Sequence, residues 1–481
     1  MNDMNKKYIS LTVAALAFVS CSGFLDVNPK GEVFDKDMFE SAEGYENSLY
    51  GIYAELGTEN YLYKNYLQWV PEVLSCNVKT SDDALQSMSY ALWTKSSVNP
   101  IRKGMWASSY AVINHINNIL AHIETGGEDQ FRYTKLYKGE ALALRALVHF
   151  ELLRLYGAPV WAPDDAKARA IPYVTKYSFD ITPFSSLDEA YSKIIGDLKS
   201  AESLLAEDET LLPEVRDNAS GSGFASCRII HLNLYAVQAL LARVYWSMND
   251  LENASAYAFK VIDSKKFRMR PVSAFNQPDN GTLDLNETIF GIYSKQYQEE
   301  NAKRYGLNGS ASSSTFNLAD DFKAIYEVSA GASQSDLRYA AWFDDGQNLM
   351  TKLVNRIYYT SDASSYTGKS ILGINVIRLP EMYYIMAEHL MTTDQGKASE
   401  YLDAVLGSRG RTLTSESGET VTAEMLFEER RREFYGEAFL WHDMKRLGMD
   451  IKVDASTTLP GNDVDTYRIP YPQSEDDNRN E

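Results

Sequence analysis

Leu240-Leu-Ala-Arg-Val-Tyr-Trp-Ser-Met-Asn-Asp-Leu-Glu-Asn-Ala-Ser-Ala-Tyr-Ala-Phe-Lys-Val261 is the stretch on which the fold turns. Small Ala242, Tyr245 three residues later and Ala254 nine beyond that have the spacing of two short helices joined by a tight turn at Asn249-Asp250. Neither helix can bury its apolar stripe alone. Two packed back to back can, and further hairpins would extend the layer. The segment from Glu381 to Leu406 repeats the arrangement, with its turn near Asp394-Gln395-Gly396.

This is the tetratricopeptide spacing. It predicts a mostly α fold in which tetratricopeptide-like helical hairpins form a right-handed superhelical scaffold. Working outward, apolar residues recur with helical period from Ser41 to about Tyr63, Trp106 to Ile123, Leu136 to Tyr156 and Leu187 to Leu205. Gly157 is expected to supply a left-handed cap after Tyr156, with Pro159 blocking continuation. Phe427, Phe434 and Trp441 repeat at seven and predict one long helix from Glu424 to Gly448. The polar, Gly/Ser-rich stretch Asp208 to Ser226 reads as a surface loop. Between about Arg270 and Ile377 the period fades into short apolar runs and loose aromatics, so a long irregular region is expected there. Long loops on a rigid frame usually carry function. The tail Tyr467 to Gln473 is held extended by Pro470 and Pro472.

The N-terminus has its own signal. Lys6 and Lys7 precede an apolar run from Tyr8 to Val19, then Ser20 and Cys21. A basic start, a short apolar core and a small residue make a signal-peptide layout. The run is shorter than the roughly 20 residues that cross a bilayer. A cysteine straight after the small residue reads as a lipobox, with Phe18 where Leu is commoner. Cys21 is the expected lipidation site and new N-terminus, tethering the chain to a membrane surface; an ordinary secretory signal with an incidental cysteine is the alternative.

Among the 481 residues, a net charge of −19 argues against nucleic-acid binding, which needs a basic face. Beyond Cys21 only Cys76 and Cys227 remain, either as separate buried thiols or as one disulfide. No CxxC, HExxH or His/Cys cluster points to a metal, and no cofactor is expected. The 32 Tyr and 7 Trp offer flat apolar faces with a polar edge, which suit pyranose rings and also suit the packing of helical repeats.

Five segments in order then resemble the SusD/RagB family: Cys21-Ser-Gly-Phe-Leu-Asp26, Glu140-Ala-Leu-Ala-Leu-Arg-Ala-Leu-Val-His-Phe-Glu-Leu-Leu-Arg-Leu-Tyr-Gly157, Ile377-Arg-Leu-Pro-Glu-Met-Tyr-Tyr-Ile-Met-Ala-Glu388, Glu428-Glu-Arg-Arg-Arg-Glu-Phe-Tyr-Gly-Glu-Ala-Phe-Leu-Trp-His-Asp-Met-Lys-Arg446 and Ile469-Pro-Tyr-Pro-Gln473. Leu406-Gly-Ser-Arg-Gly-Arg411 is similar to the family's Asn/Arg-rich link only loosely. The acids and bases in these motifs, Arg145, Glu388, Arg430 and Glu433, read as an ion-pair lattice between helices rather than as catalysts.

The resemblance implies a non-enzymatic lipoprotein on the outer face of the outer membrane. It would capture oligosaccharide and pass it to a SusC-like TonB-dependent transporter. The implied organisation is a signal peptide (1–20), an N-terminal helical region with hairpins (21–270), a loop-rich region (271–376) and a C-terminal helical region (377–481), forming one compact unit. The tetratricopeptide-like face is the expected transporter contact. The expected glycan site lies on two loop groups: Trp69, Asp82, Asp83, Trp93 and Asn99 on one, Tyr293, Tyr297 and Trp342 on the other. Trp93 and Tyr297 are the expected stacking platforms, with Asp and Asn bonding the hydroxyls; core packing is the competing role for each ring. Two rivals remain. A glycoside hydrolase would need two carboxylates facing each other across a cleft, whereas Asp82-Asp83 and Asp344-Asp345 are chain neighbours. A protein-only repeat scaffold would bind no glycan.

Overall fold

The computed structural model describes residues 35–57, 66–213, 223–226, 228–276, 280–294, 296–309, 315–327, 336–344, 346, 349–354 and 371–475. The chain divides into two compact units, Met1–Tyr45 and Glu46–Glu481. The described part of the first holds the helix Asp35–Met38, and its Phe39 ring packs 4.9 Å from that of Tyr45. The second holds the remaining described residues.

Its frame is a run of antiparallel helices: α1 (Asn99–Gly126), α2 (Thr134–Tyr156), α3 (Leu187–Leu204), α4 (Leu234–Ser247) and α5 (Leu251–Asp263). Pro100 sits in the first turn of α1, where its missing N–H costs nothing. Ser186 and Glu189 form a reciprocal capping box on α3. Asn233 and Asp250 cap α4 and α5, each accepting a backbone N–H from three residues on. Asn249 takes the left-handed conformation (φ 61°) that the tight turn needs, which Asn tolerates better than most residues. Helix α2 is buried along nearly its whole length, with both α1 and α3 packed on it.

A three-stranded antiparallel sheet comes next, with β1 (Thr282–Leu283) and β2 (Thr288–Tyr293) flanking the central β3 (Ile371–Arg378). It lies inside the region expected to be irregular. Its strands are short, and mostly buried β3 lacks a clean apolar/polar alternation that would announce a strand. The chain then makes a second hairpin, α6 (Leu379–Leu390) and α7 (Gln395–Ser408), capped by Asp394, before α8 (Ala423–Glu433) and α9 (Leu440–Leu447). Helices α1 to α7 each pack on the next in chain order, as stacked repeats do. The bidentate pair Arg243–Glu381 (2.7 and 2.5 Å) ties α4 to α6. The mostly α, tetratricopeptide-type fold is therefore present.

Three local expectations are corrected. The single helix Glu424–Gly448 is two, because Gly436 (φ 81°) and Ala438 (φ 61°) break it. The freed backbone is met by buried groups from elsewhere: Gln68 donates to Gly436 O at 3.0 Å, Ala438 N donates to Glu72 at 2.7 Å, and Lys352 Nζ donates to Glu433 O and Tyr435 O. Gly157 is extended (φ −73°, ψ 153°), not left-handed. Glycine serves there because a Cβ would stand 2.7 Å from Leu153 O. The stretch from Asp208 is not all surface: Asp208 is buried in a bidentate pair with Arg228, which also meets Glu140 at 2.7 Å.

The lattice is real and larger than expected. Arg338, Arg378 and Arg409 converge on the buried Glu433 carboxylate at 3.1, 2.6 and 2.8 Å, and Glu287 takes a second bidentate bond from Arg409. Burial pushes the Glu433 carboxyl up, but the Arg409 and Arg378 guanidiniums outweigh it and hold it well below the usual range. Arg430 pairs with Asp443 and Glu388, and Arg145 with Asp197.

Gly461 shows how closely backbones meet near the C-terminus. A Cβ there would lie 2.2 Å from Gly448 O and 2.3 Å from Met449 C, both main-chain atoms that cannot rotate away. Gly461→Ala is expected to cost about 1–3 kcal/mol. A lowered urea midpoint at unchanged slope is the expected reading.

Candidate functional site

The two loop groups singled out in the sequence meet. Strand Val78–Thr80 pairs antiparallel with Phe316–Leu318, Val78 opposite Leu318 and Thr80 opposite Phe316. Ala319 N donates to Asn77 O at 3.1 Å, and the Tyr435 hydroxyl donates to the same carbonyl. The Trp69 and Phe316 rings meet edge to face at 6.2 Å, with the Arg304 guanidinium 3.9 Å from the Trp69 centroid.

Beside this junction opens a cavity of 470 Å³, within the range of ligand sites. Buried Phe427, Leu440 and Met444 give it an apolar floor, and Lys79, Asp320, Asp321, Arg431 and Asp454 line it with charge. Lys79 Nζ lies 2.5 Å from Asp320, and Arg431 holds Asp321 through both terminal nitrogens at 3.0 and 3.1 Å. The Tyr90 hydroxyl donates to Asp454 at 2.6 Å, while the other Asp454 oxygen accepts from Ser456 and Thr457. The Tyr90 bond, with those from Ser456, holds the Asp454 carboxyl well below the usual range. The cavity thus combines charge-fixed acceptors and donors with an apolar base. Half-buried Cys76, a free thiol, also lines it; burial pushes its thiol up to about 11. Cys227 lies outside the described residues.

The sequence-predicted residues fare differently. Trp93 is 9% exposed and Tyr297 1%. A ring wrapped on its faces has none to offer a sugar, so stacking on these two is corrected by their burial. Tyr297 donates to Gln68 Oε1 at 2.5 Å and, with Trp342, lines a cavity of only 50 Å³, room for water and not for a pyranose. Trp69 and Trp342 are likewise buried, the latter under Lys352 Nζ at 4.1 Å. Asp82 caps the helix Asp83–Ser89 through Leu85 N at 3.0 Å, and Asp83 accepts from Ser97 at 2.7 Å. Asn99 accepts from Arg102 at 3.3 Å. Tyr293, at the end of β2, keeps an exposed ring. Cys21 lies outside the described residues.

The cavity's own charged residues were missed. Nothing in their local sequence marks them, and they come from segments hundreds of positions apart. Arg431 lies between Arg430 and Arg432 on α8, and of the three it alone is not buried. Glu72 is the buried carboxyl with the most acid-like behaviour, raised by burial to about 7. Its oxygens are taken by Ala438 N and Asn77 Nδ2, out of reach of any substrate. Among the described residues no helix is long and apolar enough to cross a membrane, and no group of three or more His, Cys, Asp or Glu could hold a metal ion.

Known proteins agree with this architecture. Residues 23–246 match a SusD-like family described as starch-binding associating with outer membrane, and residues 343–480 match the SusD family. No curated protein matches the sequence. Among solved structures, a SusD superfamily protein from Bacteroides thetaiotaomicron VPI-5482 superposes with a TM-score of 0.70 at 22% identity, covering 90% of this chain and 97% of its own. A putative sugar binding protein from Bacteroides vulgatus ATCC 8482 gives 0.68 at 22% identity over 90% and 96%. Surface glycan-binding protein A from Bacteroides thetaiotaomicron gives 0.65 at 17% identity over 92% and 98%. These low identities speak for the fold alone. The two family matches take in the α1–α4 helices on one side of the loop-rich region and the α6–α9 helices on the other, and on them the chain belongs to the SusD family.

Proposed function

We propose that this protein is a surface lipoprotein that binds oligosaccharide without cleaving it and delivers it to a SusC-like TonB-dependent transporter in the outer membrane. The observation that carries the binding step is the open 470 Å³ cavity where the two loop groups pair. Carboxylates on its wall accept from sugar hydroxyls, Lys79 and Arg431 donate to them, and the apolar floor meets the C–H face of a ring. Exposed Tyr293 and Asp83 are further candidate contacts at the loops. Family membership, and relatives named for sugar or glycan binding, support the same reading. A hydrolase needs an acid whose proton is retained near neutrality; Asp454 is displaced in the opposite direction.

Calorimetry of the full-length chain in detergent against maltooligosaccharides and other neutral oligosaccharides tests this. Dissociation constants of about micromolar to millimolar are expected, as befits a protein that must release its cargo. Arg431→Ala is expected to weaken binding about 10-fold or more. Release of shorter sugars would favour the enzyme, and binding to no glycan would overturn the proposal. A co-purification from outer membranes tests the transporter partnership; recovery of this protein alone, where a known pair survives, would count against it.

A further inference from the structure

A cavity larger than the one at Arg431 lies elsewhere. It has 670 Å³ and is lined by one face of α1, the segment Val174–Thr182 and the C-terminal residues Pro472, Ser474 and Glu475. The helix supplies Lys103, Ala107, Tyr110 and Asn114, spaced four, three and four apart and so stacked on one face. Ala107 is exposed, and its lack of a side chain beyond Cβ opens the floor between Lys103 and Tyr110.

The opposite wall is anchored at its base. Tyr110 donates to Pro172 O at 2.9 Å, Asn117 to Val174 O at 3.0 Å, and Val174 N to His149 Nε2 at 3.0 Å. Beyond that base Tyr177, Phe179 and Ile181 alternate along the chain and stand out in solvent, Phe179 completely. Ser178 and Asp180, between them, bond to each other. Exposed aromatics are uncommon as a group on a chain with nothing to bind. Here they face a cleft that also holds the amide of Asn114 and the ammonium of Lys103, neither of which has a hydrogen-bond or ion-pair partner among the described residues.

We propose that this cleft is a second carbohydrate-binding site, taking a neutral pyranose chain. Tyr177 and Phe179 cover the apolar C–H face of a ring, and Asn114 and Lys103 bond its hydroxyl rim. The inference rests on the glycan-binding function proposed for the protein but concerns different residues: none lining this cleft lines the cavity at Arg431.

Counting sites by calorimetry separates the two, with the full-length chain in detergent and short maltooligosaccharides, then other neutral oligosaccharides, as probes. Wild type is expected to bind two equivalents. Ala107→Trp fills the floor from an exposed position and should leave one; Asn114→Ala, a milder change, should weaken that same site about 10-fold. Arg431→Ala should weaken the other site alone. Circular dichroism checks that each variant is folded. If folded Ala107→Trp binds with unchanged stoichiometry and affinity, the second site does not exist, while binding lost on Arg431→Ala would still uphold the proposed function. If Phe179→Ala binds sugar normally but no longer co-purifies with a transporter, the cleft is a protein-docking surface and the inference is overturned. If wild type binds no sugar, the function falls and the second site with it.

Discussion

Glu433→Gln is expected to remove about 3–5 kcal/mol of stability, the cost of breaking a buried ion network from one side. Three guanidiniums depend on this carboxylate, and none can reach water: Arg338, Arg409 and Glu433 are fully buried and Arg378 nearly so. Gln preserves the shape and removes the charge, leaving the cations to Glu287, Asp336, Glu429 and Glu437. A domain's whole stability is typically about 5–15 kcal/mol, so the variant should sit near the edge of folding. The acid response should change too. Because the folded carboxyl titrates below its unfolded value, its contribution is complete above the unfolded value of about 4.3 and lost as pH falls through the folded one. The variant should therefore lose that part of its acid sensitivity. Urea denaturation at neutral and acidic pH measures both effects. A loss under about 1 kcal/mol would mean that the lattice relaxes around the gap.

Cys21→Ala is expected to abolish fatty-acid labelling and to shift the protein towards the soluble fraction. The reason lies in chain arithmetic: each buried CH₂ contributes about 0.8 kcal/mol, one acyl chain gives only reversible attachment, and several together hold firmly. Among the described residues no helix is long and apolar enough to cross a membrane. Fractionation after labelling with a clickable fatty acid is the measurement. Label absent from wild type, or Cys21→Ala remaining with the membrane after a salt wash, would show that something other than acylation attaches the chain.

Much of the helical frame was legible because its cause is local. The hairpins α4–α5 and α6–α7 announce themselves through small residues at fixed spacing and through Asn249, Asp250 and Asp394 at the turns and caps. The lattice was legible in part: Arg145, Glu388, Arg430 and Glu433 read as ion-pair partners, because a helix full of Glu and Arg more often locks helices together than catalyses. Arg409 did not, because it comes from the segment least like the family pattern, yet it makes two bidentate pairs.

The candidate sites were far less legible. An aromatic in a loop-rich region reads the same whether its ring lies on the surface or in the core, and that choice falls to whatever packs around it. Trp93 and Tyr297 went inward; Tyr177 and Phe179, on a segment that had drawn no notice, went outward.

By itself, then, the sequence determined the helix-turn-helix units, their order and the family, since each depends on residues close together in the chain. Tertiary structure alone decided that α8 and α9 are separate helices, that Val78–Thr80 joins Phe316–Leu318, and which charged residues share a cavity. Those features depend on partners more than two hundred residues away, such as Gln68 satisfying the carbonyl of Gly436, and no local pattern encodes a partner at that distance.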